Sequence, residues 1–359
     1  MLYTINNKEI KGTSSQRICG LDLIRVVAIF FVIAGHFLFV NTPYMKTPMR
    51  GVAMFLQNMM LSVFFVGVPL FMMLTGYLNI NKMPTTKYYK GMVRVLVAYL
   101  IFSIATILFR AYYLGEVQSV VQWVLAILNY SAIPYAWYIE MWIGLALLTP
   151  FLNYMWHAIP TMKHKLLLIA ILFVLTALPD LSSRFFPRYF AQACYPLMFF
   201  FMGTFIREYQ PTIKTWLGIV VIIFISMVNP IATILLLGSD SVDLGLAGGP
   251  GGVFYTWIAV AIFLVLYRSD ISVKPIKRWV THCSMVSLEM YLCCYMFDQL
   301  YYPWFKERFY ESQAQFLPWF LVIVPAVLLS SYVVASMYNY IAAKIRRKVN
   351  SQQEQPLAG

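Results

Sequence analysis

Residues 19–39 read CGLDLIRVVAIFFVIAGHFLF, an apolar run long enough to cross a bilayer as a helix. Three ionisable side chains interrupt it: Asp22, Arg25 and His36. Arg25 and His36 are eleven residues apart. At about 100° per residue that spacing is roughly 20° past three full turns, so the two share one side of the helix, roughly 16 Å apart along its axis. An ionisable group in hydrocarbon is costly, and it normally faces the bundle interior or a watery cavity and marks a functional path. This face is the first candidate site.

Working outward from that stretch, the whole chain has the same character. Its 359 residues are 61% hydrophobic and only 11% charged, with a mean hydropathy of +0.70, which excludes most soluble classes. Apolar runs recur near residues 21–41, 54–78, 92–112, 137–156, 165–179, 190–206, 213–237, 252–267, 284–302 and 316–342. We therefore expect an all-α polytopic integral membrane protein with about ten transmembrane helices. A barrel would show short alternating segments, and runs such as 166–178 and 217–227 do not alternate. The expected organisation is an N-terminal segment at 1–18, a transmembrane domain over 19–343 and a polar tail at 344–359. The first run is too long for a signal-peptide core and lacks a small-residue cleavage site, so it is expected to stay as an uncleaved anchor.

The net charge of +13 raises the question of nucleic acid, and the placement of the basic residues answers it. With the N-terminus inside, nineteen of the 27 Lys and Arg fall on inner segments and seven on outer ones, with Arg25 alone within a span. That bias follows the positive-inside rule and predicts both termini in the cytoplasm. The charge reads as topology and contact with membrane lipids, with no nucleic-acid partner. The five cysteines form no CxxC pair, so neither a disulfide frame nor a metal site is expected. The outer connector 113–136 has room for an amphipathic or re-entrant piece at 120–128. The glycine-rich stretch 247–252 lacks the Lys-Ser/Thr of a phosphate loop and reads as a flexible turn.

On this topology Arg25 lies a turn or so into the inner leaflet and His36 past the midplane. A phosphate-bearing donor held at Arg25 could bring its reactive end toward His36, where a hydroxyl acceptor arrives from the other face. Arginine suits phosphate because its fork stays charged, and histidine suits proton transfer near neutral pH. The competing reading is that Asp22 and Arg25 pair near the interface and His36 is a satisfied interior histidine. Glu140, near the outer end of the fourth span, lies at roughly the depth of His36, and Glu289 is expected well inside the ninth span. Either could orient an imidazole or accept sugar hydroxyls, or could be a protonated glutamate tying two helices together. Arg94 opens the third span, where the competing reading is a snorkelling interfacial arginine. Arg110 and Asp298 read as interfacial, His157 and His164 as solvated, and His282 has no assigned role. Tyr77 and Trp137 stand apart from the other aromatic residues, which read as belt and packing groups.

Arg25, ten residues, then His36, preceded by Leu21-Asp22, resembles the signature of the membrane-bound acyltransferase-3 family. Val68-Pro-Leu-Phe-Met-Met-Leu-Thr-Gly-Tyr77 resembles its second-span motif. Trp137-Tyr-Ile with Ile143-Gly-Leu-Ala-Leu-Leu-Thr-Pro150 resembles its fourth-span pattern, and Ser287-Leu-Glu-Met-Tyr-Leu292 its late motif. Relatives often carry a histidine two residues after the Tyr-Leu pair, where this chain has Cys294. The resemblance implies an O-acyltransferase, most often an O-acetyltransferase, moving an acyl group from cytoplasmic acetyl-CoA to a hydroxyl of an extracytoplasmic polysaccharide or lipid-linked sugar. It implies His36 as the catalytic histidine and Arg25 as its partner toward the CoA, with Arg94 also facing CoA. Within that scheme Glu140 would support His36 or the acceptor, and Tyr77, Trp137 and Glu289 would bind substrate. A stand-alone form without a fused extracytoplasmic domain is expected. The alternative from another class is a transporter or flippase for a glycan or lipid-linked sugar, its buried charges lining a translocation path.

Overall fold

The computed structural model describes residues 17–41, 52–181, 190–237, 249, 251–309 and 313–353. Most of the N-terminal segment, half of the glycine-rich stretch, the end of the tail, and Lys46, Arg50, Arg184 and Arg188 lie outside the described residues. The helices are α1 Cys19–Gly35, α2 Val52–Phe64, α3 Gly67–Asn79, α4 Thr86–Tyr112, α5 Val120–Leu128, α6 Trp137–Ala158 and α7 Met162–Leu181. They continue with α8 Ala191–Tyr209, α9 Thr215–Leu237, α10 Val253–Leu266, α11 Lys274–Met285, α12 Ser287–Phe309, α13 Gln313–Phe316 and α14 Phe320–Gln353.

Helix occupies all ten expected spans, and no strand occurs among the described residues. Among the described residues six stretches are long and apolar enough to cross a membrane: Cys19–Val40, Phe55–Asn79, Thr86–Tyr112, Met162–Pro179, Thr215–Ala232 and Leu317–Arg347. The other four expected spans are filled by α6, α8, α10 and α12. The protein is an all-α polytopic membrane protein. Only helices satisfy every backbone group within one segment of lipid-facing chain, which is why an apolar sequence of this length folds this way.

Three features depart from the uniform spans expected from hydropathy. The second span is two helices, because Pro69 has no N–H to give the carbonyl of Phe65, and the chain breaks at 65–66 between α2 and α3. The ninth span begins at Ser287, later than expected. The residues before it form the separate helix α11, whose Lys274, Lys277 and Arg278 and exposed Ile276 and Trp279 place it on the surface of the bundle. At the end of α1 the backbone changes to a π-helical turn, His36–Val40, closed by Asn41 N–H on the His36 carbonyl at 2.9 Å.

The expected piece at 120–128 is α5, started by a reciprocal cap in which Gln122 N–H donates to Ser119 Oγ and Ser119 N–H to Gln122 Oε1. The close crossing of α3 and α8 explains one sequence motif. A side chain on Gly76 would run into the carbonyl of Phe200, and one on Gly203 into the carbonyl of Met73. The two helices therefore approach backbone to backbone. Helix α1 sits in the centre, against α2, α3, α10, α11, α12 and α14.

Candidate active site

The site has two ends, both built on α1. At its start Asp22 is buried (2% exposed) and gathers three partners. Arg17 donates to it from Nε at 2.6 Å and Nη2 at 2.9 Å. Ser284, near the end of α11, donates from Oγ at 2.8 Å. Arg25 Nη1 lies 3.5 Å from Asp22 Oδ1 and donates to Ser284 Oγ at 3.3 Å. The i,i+3 pair foreseen from sequence is thus one edge of a larger cluster that joins the first turn of α1 to α11.

Beside this cluster is a cavity of about 600 Å³ lined by Arg17, Arg25, Arg94, Arg346 and Glu289 together with Thr75, Asn79 and Ser284. Apolar and aromatic residues, among them Val32, Val68, Phe71, Tyr138, Ile139 and Tyr291, line the rest. A second cavity of about 560 Å³ shares Arg17 and Arg25 and adds Tyr77, Lys82 and Arg207. Six cations line the two cavities, against the carboxylates of Asp22 and Glu289. Low-dielectric walls lined by one sign of charge concentrate field and favour a polyanion. The first cavity reaches Val32, four residues before His36, or about 6 Å along the helix.

The other end is centred on His36, whose side chain is 12% exposed. The Tyr135 ring lies against the imidazole, centroids 3.9 Å apart. His36 Nδ1 is 3.7 Å from Asp298 Oδ2 and 3.8 Å from Cys294 Sγ. Asp298 is fully buried on α12, and its Oδ2 accepts from Tyr135 Oη at 2.9 Å and from Asn41 Nδ2 at 3.1 Å. Asn41 Nδ2 also donates to the His36 carbonyl at 3.2 Å, so the residue that closes the π turn fixes the histidine backbone twice. π-helical turns occur disproportionately at functional sites, where the extra residue re-aims a side chain. The two ends meet through Tyr291, which lines the cavity and donates from its hydroxyl to the Tyr135 carbonyl.

The expected residues divide between these ends. Arg25, Arg94, Tyr77 and Glu289 all border the arginine-lined cavities. Glu289 is in the first turn of α12, not well inside a span, because the helix begins only at Ser287. It is 2% exposed and 3.9 Å from Arg94 Nη2. Tyr77 Oη accepts from Arg207 and Gln210, and the Arg207 guanidinium lies over its ring. His36 is at the other end, and the carboxylate beside it is Asp298. Glu140 and Trp137 are exposed in the first turn of α6.

The interfacial reading of Asp298 and Arg110 is corrected by their burial. Arg110, 14% exposed, holds Glu116 with both nitrogens of its fork and donates to the Ser131 and Ala132 carbonyls, fixing the loop that leads to Tyr135. His157 and His164 are exposed, as expected. His282 Nδ1 is 2.8 Å from Tyr332 Oη. Sequence reasoning missed Arg17, Arg346, Asn41, Tyr135 and Asp298. The last three lie at or beside the expected outer ends of three different spans, and that shared depth does not show that their side chains converge. No group of three or more potential metal ligands occurs among the described residues.

The membrane bundle thus sets a largely buried imidazole beside a carboxylate, a few residues along from a cavity lined by arginines. A family model described as an acyltransferase domain matches residues 19–336. The chain belongs to the acyltransferase-3 family and is a membrane acyltransferase. The comparison with curated proteins found no match, and neither did the comparison with solved structures.

Proposed function

We propose that the protein is an O-acyltransferase, in the first instance an O-acetyltransferase, of the cell membrane with both termini cytoplasmic. It takes its acyl group from cytoplasmic acyl-CoA and delivers it to a hydroxyl of an extracytoplasmic polysaccharide or lipid-linked sugar. The observation that carries this reading is the cavity lined by Arg17, Arg25, Arg94 and Arg346, which reaches to within about a turn of His36 on the same helix. Its mixed lining of arginines and apolar residues suits the two halves of an acyl-CoA, an anionic nucleotide and a neutral thioester arm.

In the proposed step His36 accepts the proton of the acceptor hydroxyl as the oxygen attacks the thioester carbonyl carbon. The new C–O ester bond forms, the C–S bond breaks, and the departing CoA sulfur takes the proton from the imidazolium, leaving free CoA thiol and neutral histidine. A base poised in this way contributes on the order of 10²- to 10⁴-fold in rate. The exposure of Trp137 and Glu140 in the first turn of α6 supports a role for them in meeting the acceptor.

The test is acyl transfer from radiolabelled acetyl-CoA to membrane-extracted glycans by purified protein, beside His36→Ala. Label in the glycan with wild type and its loss with the variant is the expected result. Full transfer by His36→Ala would remove His36 from the mechanism. Glycan movement across vesicles without acyl-CoA, with no transfer, would favour the transporter reading.

A further inference from the structure

The arrangement around His36 assigns a role to a residue that neither the charge map nor the family motifs single out. We propose that Asp298 is a positioning residue for His36: its carboxylate takes the Nδ1–H of the ring, which leaves Nε2 unprotonated as the base and steadies the imidazolium once the proton has moved. This rests on the acyl-transfer reading of the site.

Four observations support it. Asp298 Oδ2 faces His36 Nδ1 at 3.7 Å, just beyond hydrogen-bond distance, so a small shift of either side chain closes the bond. The carboxylate is fully buried, so it makes its contacts without competition from solvent. Two donors, Tyr135 Oη and Asn41 Nδ2, anchor Oδ2, while Oδ1 is buried with no hydrogen-bond partner among the described residues. A buried carboxylate with one unpartnered oxygen keeps acceptor capacity beyond its two anchors, and a small rotation of either group brings the ring N–H onto it. Cys294, the other neighbour of Nδ1, already gives its proton to the Tyr291 carbonyl at 3.1 Å and offers only a weak acceptor. A carboxylate on one ring nitrogen fixes which nitrogen is free. If Asp298 served only to tie α12 to the Tyr135 loop, its loss would lower stability without touching the histidine's chemistry.

The experiment compares Asp298→Asn, Asp298→Glu, His36→Ala and the double variant His36→Ala/Asp298→Asn in purified protein with acetyl-CoA. Expected are a fall in kcat of at least about 100-fold for Asp298→Asn, a KM for acetyl-CoA within about twofold of wild type, partial recovery in Asp298→Glu, and a double variant no slower than His36→Ala alone. Additive losses in the double variant, or a kcat for folded Asp298→Asn within about threefold of wild type, would overturn the assignment. If Asp298→Asn does not accumulate, Tyr135→Phe removes one of the two anchors and should lower kcat by about tenfold, KM unchanged.

A readout independent of acyl transfer is carbethoxylation of His36 by diethylpyrocarbonate, mapped by peptide mass, with His157, His164 and His282 as internal standards. The His36 rate should fall several-fold in Asp298→Asn while the standards hold. An unchanged rate counts against positioning even where transfer is active. A slowed rate in a protein whose wild type transfers nothing would retain the positioning and discard the acyl-transfer reading.

Discussion

Replacing Arg25 with methionine removes one charge from the cavity and keeps most of the stem, and the structure sets the size of the effect. Asp22 retains both Arg17 bonds, at 2.6 and 2.9 Å, and the Ser284 hydroxyl at 2.8 Å. No carboxylate is left bare. Arg25 is 29% exposed and stands 3.5 Å from Asp22, so losing this pair should cost the fold less than about 1 kcal/mol. Binding is a different matter, because Arg25 lines both cavities. A charge-assisted hydrogen bond to phosphate contributes about 1.5–3 kcal/mol. Asp22 already offsets part of the Arg25 charge and Arg94 and Arg346 remain, so the lower part of that range applies, about 1.5–2 kcal/mol or about 10- to 30-fold in Kd. The assay is the melting temperature of detergent-solubilised protein across a CoA titration, since a ligand that binds only the folded state raises its stability with concentration over Kd. The unliganded melting temperature should hold, and the titration should shift by that factor. Dephospho-CoA, with fewer charges, should show a smaller shift. An unchanged Kd in a variant of unchanged stability would refute the placement of the donor at Arg25.

Three further outcomes follow from the same structure. Gly203→Ala would press a methyl into the Met73 carbonyl, backbone that cannot swing aside, and should cost about 1–3 kcal/mol, read as a lower melting temperature; Gly144→Ala, where nothing lies within 4 Å, is the silent control. Glu208→Ala strips Lys165, 7% exposed, of its partner at 2.7 Å and Trp156 of its acceptor. With Glu208 itself 31% exposed, we expect about 2–3 kcal/mol, and Lys165→Met in the same chain should recover at least half of it in a thermal-melt cycle. Arg110→Ala releases the Ser131 and Ala132 carbonyls, and should raise protease cleavage in the 113–132 connector and slow His36-dependent transfer while leaving CoA stabilisation intact; a protected loop with full turnover would contradict the clamp.

The spans were legible because hydropathy measures what a lipid-facing helix must satisfy. Hydropathy says nothing about breaks inside an apolar run, so the division between α2 and α3 escaped it even though Pro69 and Gly67 mark the place. The start of the ninth span was misjudged for the related reason that Trp279, Val280 and Cys283 lie on α11, an apolar-faced surface helix that runs almost directly into α12. Arg25 and His36 were legible as charges in a span. Asp298 was not, because depth along a sequence does not say which way a side chain turns. Near the end of a span the same residue can meet headgroups or, as here, be enclosed by Asn41, Tyr135 and His36. Glu140 illustrates the converse, at the expected depth of His36 but on the exposed side of α6. Arg17 falls within the expected N-terminal segment 1–18, and only the fold brings it back onto Asp22 five residues later.

Helix α1 works as a caliper. It carries the Asp22–Arg25 cluster near its start and ends at Gly35, directly before His36, and a helix has no continuous adjustment between such marks. Adding one residue between them would turn His36 by about 100° and advance it by about 1.5 Å, taking it off the shared face. The next settings that restore the face lie about a turn shorter or longer, a step of roughly 5 Å. A ligand gripped at Arg25 that must react at His36 is therefore gauged by the length of its arm before the group at its tip is tested at all.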